Sequence, residues 1–214
     1  MALSELRDNI ENIIFDLDGT LWDPMPMSIK AWHTALNGFG CIKNPISEED
    51  IQGILGMQHD LVGKKLFPYL SEEKQFDVMN SCYVQEVNDI KESGGDLYHG
   101  LEETLRALGS KYDLYIVSNC QAGYIEAFFE YHGLSAHFKD FECSGNTGKS
   151  KTENVKRVIE RNKLPKPIYI GDTLGDYTAA EGNQIPFVFA KYGFGDVPNT
   201  EHIIHNITDL KDLL

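Results

Sequence analysis

Short apolar runs, separated by amphipathic stretches, dominate the hydrophobic pattern of the chain. Turn residues bound each run, as they do for the buried strands of a parallel sheet. The stretches between several of the runs carry apolar residues at helical spacing. This alternation of strand and helix predicts a doubly wound α/β sheet. The predicted strands are Ile13–Phe15, Leu114–Val117, Ile168–Ile170, Phe187–Phe189 and a weaker Ile203–Ile204, and the predicted core helices are Gly100–Leu108, Tyr124–His132 and Thr152–Asn162.

One long region, from about Trp22 to Gly95, breaks the alternation because it contains no convincing strand. Helical patterns fill it instead, and proline and glycine residues separate them. We therefore predict an all-helical domain, residues 22–94, inserted into an α/β core made of residues 1–21 and 95–214. The predicted hinges are Asp23–Pro24 and Gly94–Gly95, and the predicted insert helices are Met27–Asn37, Ser47–Leu55, His59–Phe67 and Glu72–Lys91.

Composition narrows the classes of partner. The 214 residues include 33 Asp and Glu against 19 Lys and Arg, a formal net charge of −14. Such a chain repels nucleic-acid backbones and anionic membranes, so we expect neither as a partner. We find no apolar run long enough to span a membrane and no signal-peptide layout at the N-terminus. The four cysteines form no C-x-x-C pair. We expect a cytoplasmic monomer with reduced thiols.

Polar side chains follow three of the predicted strands. Asp16 and Asp18 follow the first, Ser118 follows the second, and Asp172 and Asp176 follow the third. In an open parallel sheet, ligands bind beyond the carboxyl ends of the strands. Four carboxylates at one edge repel each other, so a cation is the natural neutralising partner. Carboxylate oxygens favour Mg²⁺, which proteins hold with a few carboxylates, waters and a substrate phosphate.

These segments resemble the four motifs of the haloacid dehalogenase superfamily of phosphohydrolases, in the same order. FDLDGT (Phe15–Thr20) resembles the first motif, and IVSN (Ile116–Asn119) resembles the second. The basic stretch Lys149–Lys151 resembles the third, and GDTLGD (Gly171–Asp176) resembles the fourth. The helical insert resembles the cap of the branch that contains phosphoglycolate phosphatase-like and β-phosphoglucomutase-like proteins.

The resemblance implies a magnesium-dependent phosphatase that hydrolyses a small phosphorylated metabolite through an aspartyl-phosphate. Asp16 would be the nucleophile. Asp18 would protonate the leaving group and then deprotonate the hydrolytic water. Asp172 would be the more direct metal ligand of its pair, and Asp176 would act through a water or by orienting the lysine. The predicted metal site comprises Asp16, Asp18, Asp172 and Asp176.

The resemblance also implies a phosphate-binding pocket. Ser118 would donate a hydrogen bond to a phosphate oxygen, and a lysine would stabilise charge on the transferring group. Two lysines match the third motif by different spacings: Lys151 is preferred and Lys149 is kept as the alternative. The residues predicted around the phosphate are Gly19, Thr20, Ser118, Asn119 and Lys151.

Substrate selection is assigned to the insert, because a cap closes such a site against water and contacts the leaving group. The loop between two predicted cap helices faces the site in relatives. Gln58 and His59 in this loop, together with Trp22 near the hinge, are the candidate specificity residues.

Four alternative functions match parts of this pattern. A sugar-phosphate phosphomutase uses the same residues and stays open, although the arginine that its relatives carry near Gln58 is missing. A haloacid dehalogenase needs neither a metal nor Asp18. A phospho-accepting receiver module has its acidic pair before the phosphoacceptor, whereas here the order is reversed. A nucleotide-binding P-loop at residues 145–150 fails because Cys143 stands where the motif requires glycine.

Overall fold

A six-stranded parallel sheet forms the centre of the molecule. The computed structural model describes residues 7, 9–57 and 59–214, with residues 59 and 60 described by their backbone alone. The sheet strands are β1 (Asn12–Phe15), β4 (Asp113–Ser118), β5 (Phe138–Cys143), β6 (Pro167–Gly171), β7 (Phe187–Ala190) and β8 (His202–Ile204), and a separate antiparallel pair consists of β2 (Trp22–Asp23) and β3 (Asp96–Leu97). The strand order across the sheet is β5-β4-β1-β6-β7-β8, which places β1 between β4 and β6.

Helices cover both faces of this sheet, because alternate residues of each strand point to opposite faces. Ile13 and Phe15 pack in one buried cluster, whereas Ile14 and Val117 pack in another. The helices are α1 (Met25–Leu36), α2 (Glu48–Gln52), α3 (His59–Leu66), α4 (Glu72–Ser93), α5 (Leu101–Gly109), α6 (Tyr124–His132), α7 (Ser144–Thr147), α8 (Lys151–Asn162), α9 (Leu174–Gly182) and α10 (Leu210–Leu213). Helices α5, α6 and α10 contribute to the first cluster, and α8 and α9 to the second. The predicted doubly wound α/β fold is thereby confirmed.

Four helices, α1 to α4, follow one another between β2 and β3. The two short strands pair, with Trp22 opposite Leu97 and Asp23 opposite Asp96. The chain therefore enters and leaves the helical segment through two adjacent connections. The division at residues 22 and 94 stays a prediction, which this pairing supports.

Strand β5 and helix α9 are among the core elements that the sequence pattern does not predict. Strand β5 mixes Lys139, Asp140 and Glu142 with its apolar residues, because it is an edge strand and Arg161 of α8 balances its two acids. Helix α9 begins with a capping box in which the Thr173 hydroxyl accepts from the backbone N–H of Asp176. Its alanines and glycines, however, give no amphipathic pattern. Among the described helices, none is both long and apolar enough to cross a membrane.

Candidate active site

Strand register places the predicted site residues at one edge of the sheet. Phe15, the last residue of β1, aligns with Ile116 of β4 and with Ile170 of β6. Asp16 follows Phe15 directly, while Ser118 and Asp172 each lie two positions beyond the aligned residues. The three side chains therefore extend from the carboxyl ends of adjacent strands, where ligands bind in this class of fold.

Three of the four predicted metal ligands form a buried cluster. Asp16, Asp172 and Asp176 offer carboxylate oxygens that all lie within 4.8 Å of one another. Their exposed fractions are 1% or less. Burial, followed by the negative charge of Asp176, raises the pKa of Asp16 to about 7 and that of Asp172 to about 8. The cluster is thus an environment in which negative charge is poorly compensated.

Lys151 is the cation of this cluster. Its Nζ lies 2.9 Å from Oδ2 of Asp16 and 2.6 Å from Oδ1 of Asp176. Burial lowers the pKa of this ammonium, but the two carboxylates raise it more, so the net shift is upward. Ser150 caps the N-terminus of α8 and so fixes the position of Lys151 at the first helical residue. Lys149 is exposed and lies 3.8 Å from Glu153, outside the cluster.

Asp176 has a structural duty as well as a place in the cluster. Its Oδ2 accepts hydrogen bonds from the backbone N–H of Asp172 and from both the N–H and the hydroxyl of Thr173. Only Oδ1 therefore faces Lys151. Asp172 is held by the backbone N–H of Phe194, which donates to Oδ2 at 2.8 Å.

Asp18 is separated from the metal-type cluster. Its Oδ1 accepts hydrogen bonds from Trp22 Nε1 at 2.7 Å and from the Tyr124 hydroxyl at 3.0 Å. Burial raises the pKa of Asp18 to about 7. The predicted metal role of its carboxylate thus has no support in the cluster geometry, whereas a half-buried carboxyl held by two donors suits proton transfer.

Two glycines permit the close approach of these groups. Gly19 has φ +76°, a left-handed conformation that lets the chain turn sharply after Asp18, and a side chain there would collide with the Asp172 carboxylate. At Gly171, a Cβ would lie 2.5 Å from Cγ of Asp176. Without the glycine, α9 would be unable to pack this carboxylate against the end of β6.

The predicted phosphate residues Ser118 and Asn119 are buried at the end of β4. The Asn119 amide donates to the carbonyl of Gly56 at 2.8 Å, and its Oδ1 accepts from the Ser144 hydroxyl at 2.8 Å. Asn119 therefore links the core edge to the cap loop. The predicted phosphate residue Thr20 instead points its hydroxyl at Asp172, 3.4 Å away.

The predicted specificity residues fare differently. Trp22 is fully buried, so its ring is not available as a contact surface for substrate. Its Nε1–H donates to the Asp18 carboxylate. Its ring packs edge-on against Tyr124 and Phe128. Gln58 lies outside the described residues, and the side chain of His59 is not among the described ones.

Several residues at the site escaped the sequence analysis. Tyr124 comes from the start of α6, and Phe194 from a glycine-containing loop after β7. That loop also brings Tyr192, whose hydroxyl donates to the Thr20 carbonyl at 2.7 Å. The sequence does contain a signal for this loop. The predicted strand Phe187–Phe189 ends at the same edge of the sheet as the other three, and Gly193 and Gly195 follow it.

The residues present fit a divalent cation such as Mg²⁺. Three carboxylates face one ammonium, and Oδ1 of Asp16 is buried without a hydrogen-bond partner. A buried anionic oxygen without a partner is costly, and a hard cation is the partner that an all-oxygen donor set prefers.

Comparison with known proteins agrees with this geometry. A family model for haloacid dehalogenase-like hydrolases matches residues 13–190. The chain belongs to this family. The match begins in β1 and ends with β7, so it includes every strand end that contributes to the cluster. The family and the enzyme class predicted from the sequence, a phosphatase, are confirmed.

Relatives of this hydrolase cover almost its whole length. A phosphoglycolate phosphatase from Photobacterium profundum is 26% identical over 224 residues, covering 97% of this chain and 96% of the relative. A 5'-nucleotidase from Pseudomonas aeruginosa is 26% identical over 196 residues, covering 86% of this chain and 84% of the relative. The crystal structure of a predicted phosphoglycolate phosphatase from Haemophilus somnus superposes with a TM-score of 0.84 at 19% identity, covering 96% and 98% of the two chains. That last likeness concerns the fold alone.

Proposed function

We propose that this hydrolase cleaves small phosphate monoesters through a phosphoryl group carried on Asp16. The observation that supports this most is the state of the Asp16 carboxylate. One oxygen is paired with Lys151 at 2.9 Å, while the other is buried without a hydrogen-bond partner. With one oxygen beside Lys151 and one without a partner, this carboxylate would offer one oxygen to phosphorus and the other to the metal ion proposed below.

We propose Mg²⁺ as the cofactor, held by the carboxylates of Asp16 and Asp172, with Asp176 in support. When bound, it would neutralise charge on the substrate phosphate and on the carboxylates. The ammonium of Lys151 neutralises further charge on the transferring group, since its burial keeps water from screening it. Ser118 offers a hydroxyl donor on the opposite side of the same edge.

In the first half-reaction, an oxygen of Asp16 forms a bond to phosphorus while the bond from phosphorus to the ester oxygen breaks. The departing oxygen needs a proton, and Asp18 donates it. A pKa of about 7 keeps a substantial fraction of this carboxyl protonated near neutral pH. Trp22 and Tyr124 hold the carboxyl in place.

In the second half-reaction, the Asp18 carboxylate takes a proton from water, and the water oxygen bonds to phosphorus. The bond from phosphorus to Asp16 breaks, which releases inorganic phosphate and restores the carboxylate. Both protons are accounted for, because the one that Asp18 gives to the alcohol is regained from water.

The test is release of inorganic phosphate from p-nitrophenyl phosphate with Mg²⁺ and no phosphoryl acceptor other than water. We expect a chelator to abolish turnover and Asp16→Asn to lower it by about 10³-fold or more. Asp77→Asn, at an exposed position on α4, is the matched control and is expected to retain full activity. Full turnover by Asp16→Asn would rule out the nucleophile. Turnover that requires an added sugar phosphate would favour the phosphomutase alternative.

A further inference from the structure

A small cavity lies between the core edge and the cap. Asp18 and Ser118 line its floor, and Trp32, Val62 and Glu86 line it from the helical insert. Its volume is about 60 Å³. At roughly 10–15 Å³ for each water-sized group, this volume holds about five such groups. Because Asp18 lies at its floor, the cavity is where the leaving group of a phosphate monoester would sit.

Glu86 is the carboxyl group of this cavity that the proposed chemistry does not use. It lies in the middle of α4 and is 6% exposed. Its Oε1 accepts from Trp32 Nε1 at 2.7 Å, and its Oε2 accepts from the Gln121 amide at 2.8 Å. Each oxygen thus accepts an N–H hydrogen bond, which lowers the pKa of Glu86, but burial raises this pKa more, so the net shift is upward. Glu86 is also close enough to raise the pKa of Asp18.

No cationic side chain balances Glu86 among the described residues that line this cavity. The two cap lysines next in the chain lie elsewhere. Lys64 is exposed and lines the neighbouring groove, which shares Tyr83 and Gln121 with this cavity, and Lys65 is exposed and donates to the Gly53 carbonyl. The rest of the lining combines apolar side chains from the insert with uncharged polar side chains. The apolar ones are Ile51, Ile54, Leu55, Met57 and Val62, and the polar ones include Tyr83, Asn119, Gln121 and Tyr124.

We infer that Glu86 determines specificity by excluding leaving groups with a negative charge, so that the substrates are phosphate esters of small neutral or cationic alcohols. This inference rests on the proposed function. A carboxylate in the leaving group would meet Glu86 in a cavity of low dielectric with no cation to pair with either charge. A hydroxyl or an ammonium group would instead donate to a Glu86 oxygen.

The inference separates this chain from relatives named for another substrate. The Photobacterium profundum relative is a phosphoglycolate phosphatase. Phosphoglycolate leaves as glycolate, which carries a carboxylate. At 26% identity, about three quarters of the aligned positions differ between the two chains. Glu86 lies in the insert and outside all four motifs.

Three substrates with two-carbon leaving groups of different charge test the inference. They are 2-phosphoglycolate, 2-hydroxyethyl phosphate and 2-aminoethyl phosphate. We expect kcat/KM of the unmodified enzyme to be at least about tenfold lower for phosphoglycolate than for the other two. Glu86→Gln keeps the size of the side chain and removes the charge. It is expected to raise kcat/KM for phosphoglycolate and to lower it for 2-aminoethyl phosphate, each by about tenfold relative to 2-hydroxyethyl phosphate.

Glu92→Gln is the matched control, because it makes the same change on the exposed surface of α4 and should leave all three ratios unchanged. The order of the three substrates with the unmodified enzyme is a second measurement that does not depend on any variant. If the unmodified enzyme prefers phosphoglycolate, or if a folded Glu86→Gln variant keeps the same kcat/KM ratios, the role of Glu86 is overturned but the proposed function is not. Failure to release phosphate from all three esters and from p-nitrophenyl phosphate overturns the proposed function itself.

Discussion

The edge of the α/β core and the facing surface of the cap treat buried charge in opposite ways. At the core edge, Asp16 and Asp176 share the ammonium of Lys151, and backbone N–H groups hold Asp172 and Asp176. In the cap, Glu86 is nearly as buried, but its partners are the neutral side chains of Trp32 and Gln121. In the proposed function, the first arrangement receives the phosphate and a metal ion. In the further inference, the second selects the group attached to the phosphate.

The two groups of charged residues also differ in how far they can be predicted from the sequence. The core charges come from motifs at strand ends, where short spacing in the chain and strand register bring the groups together. Glu86 comes from the middle of a 22-residue helix, and its partners lie 54 and 35 positions away. The residues proposed for the reaction thus lie in short motifs at strand ends. Glu86, which is proposed to select the substrate, obtains its partners from distant segments of the chain.

The largest expected effect concerns the two lysines of the third motif. Lys151→Met keeps most of the side-chain volume and removes the charge shared by Asp16 and Asp176, so we expect kcat to fall by about 10³-fold. Lys149→Met makes the same change at the exposed neighbour and is expected to keep activity within about twofold. Steady-state kinetics with p-nitrophenyl phosphate provide the measurement. Equal losses of kcat in the two variants would contradict the assignment of Lys151 as the lysine of the active site.

A smaller effect is expected from the support of Asp18. Trp22→Phe removes the indole N–H that donates to the Asp18 carboxylate at 2.7 Å. A hydrogen bond to a charged group is worth about 1.5–3 kcal/mol, so we expect roughly a tenfold loss or more where proton transfer matters. The loss should appear with 2-hydroxyethyl phosphate, whose alkoxide needs a proton. With p-nitrophenyl phosphate it should be much smaller. An equal loss on both esters would indicate a general packing defect.

A still smaller effect is expected from the hydrogen bond between Asn119 of the core and Gly56 of the cap loop. Asn119→Ala removes the hydrogen bond from the core to the Gly56 carbonyl of the cap loop. A neutral hydrogen bond contributes about 1 kcal/mol, so kcat/KM should fall about fivefold. Ser144→Ala leaves that link in place and removes a hydroxyl that contacts Asn119 Oδ1 at 2.8 Å and the Lys149 carbonyl at 3.0 Å. We expect a smaller loss for this control, and a loss as large as that of Asn119→Ala would place the effect within the core.

The smallest effect is on stability as a function of pH. Burial, together with the nearby Asp89, raises the pKa of Glu86 above its ordinary value of 4.5. The folded state therefore binds this proton more tightly, and the stabilisation is complete below that value and is lost as the pH rises through the folded pKa. Glu86→Gln lacks this dependence. Its melting temperature relative to the unmodified protein should therefore increase from acidic to neutral pH, by about 2–4 °C for each kcal/mol.

Thermal unfolding across this pH range, with Glu92→Gln as the control, checks that sign. Asp18 titrates in both proteins, so its contribution largely cancels in the difference. A difference in melting temperature that is flat with pH would show that the charge of Glu86 is compensated in the folded protein.

The sequence predicts the α/β fold and the core edge because both depend on local patterns. Buried strands read as apolar runs, and Asp16, Ser118 and Asp172 follow them directly. Strand β5 is missed because its polar residues obtain a partner, Arg161, only in the folded state. The choice between Lys149 and Lys151 likewise depends on where α8 begins, which Ser150 fixes by capping.

The partners of Asp18 and Glu86 depend on tertiary packing. Tyr124 is 106 positions from Asp18, and Trp32 is 54 positions from Glu86, so no spacing rule connects them. Trp22 shows the converse. Its position beside the predicted hinge is compatible with either a substrate contact or a core residue; its large apolar ring packs into the core and only its N–H reaches Asp18.

The most direct test of the central claim is to locate the phosphoryl group during turnover. Asp18→Asn should slow hydrolysis of the intermediate more than its formation from p-nitrophenyl phosphate, because nitrophenolate leaves without a proton. Acid quenching of this variant, followed by peptide mass spectrometry, should find a hydroxylamine-sensitive phosphoryl group on Asp16. A phosphoryl group on another residue such as Ser118, or a burst of nitrophenolate with no labelled peptide, would contradict the account.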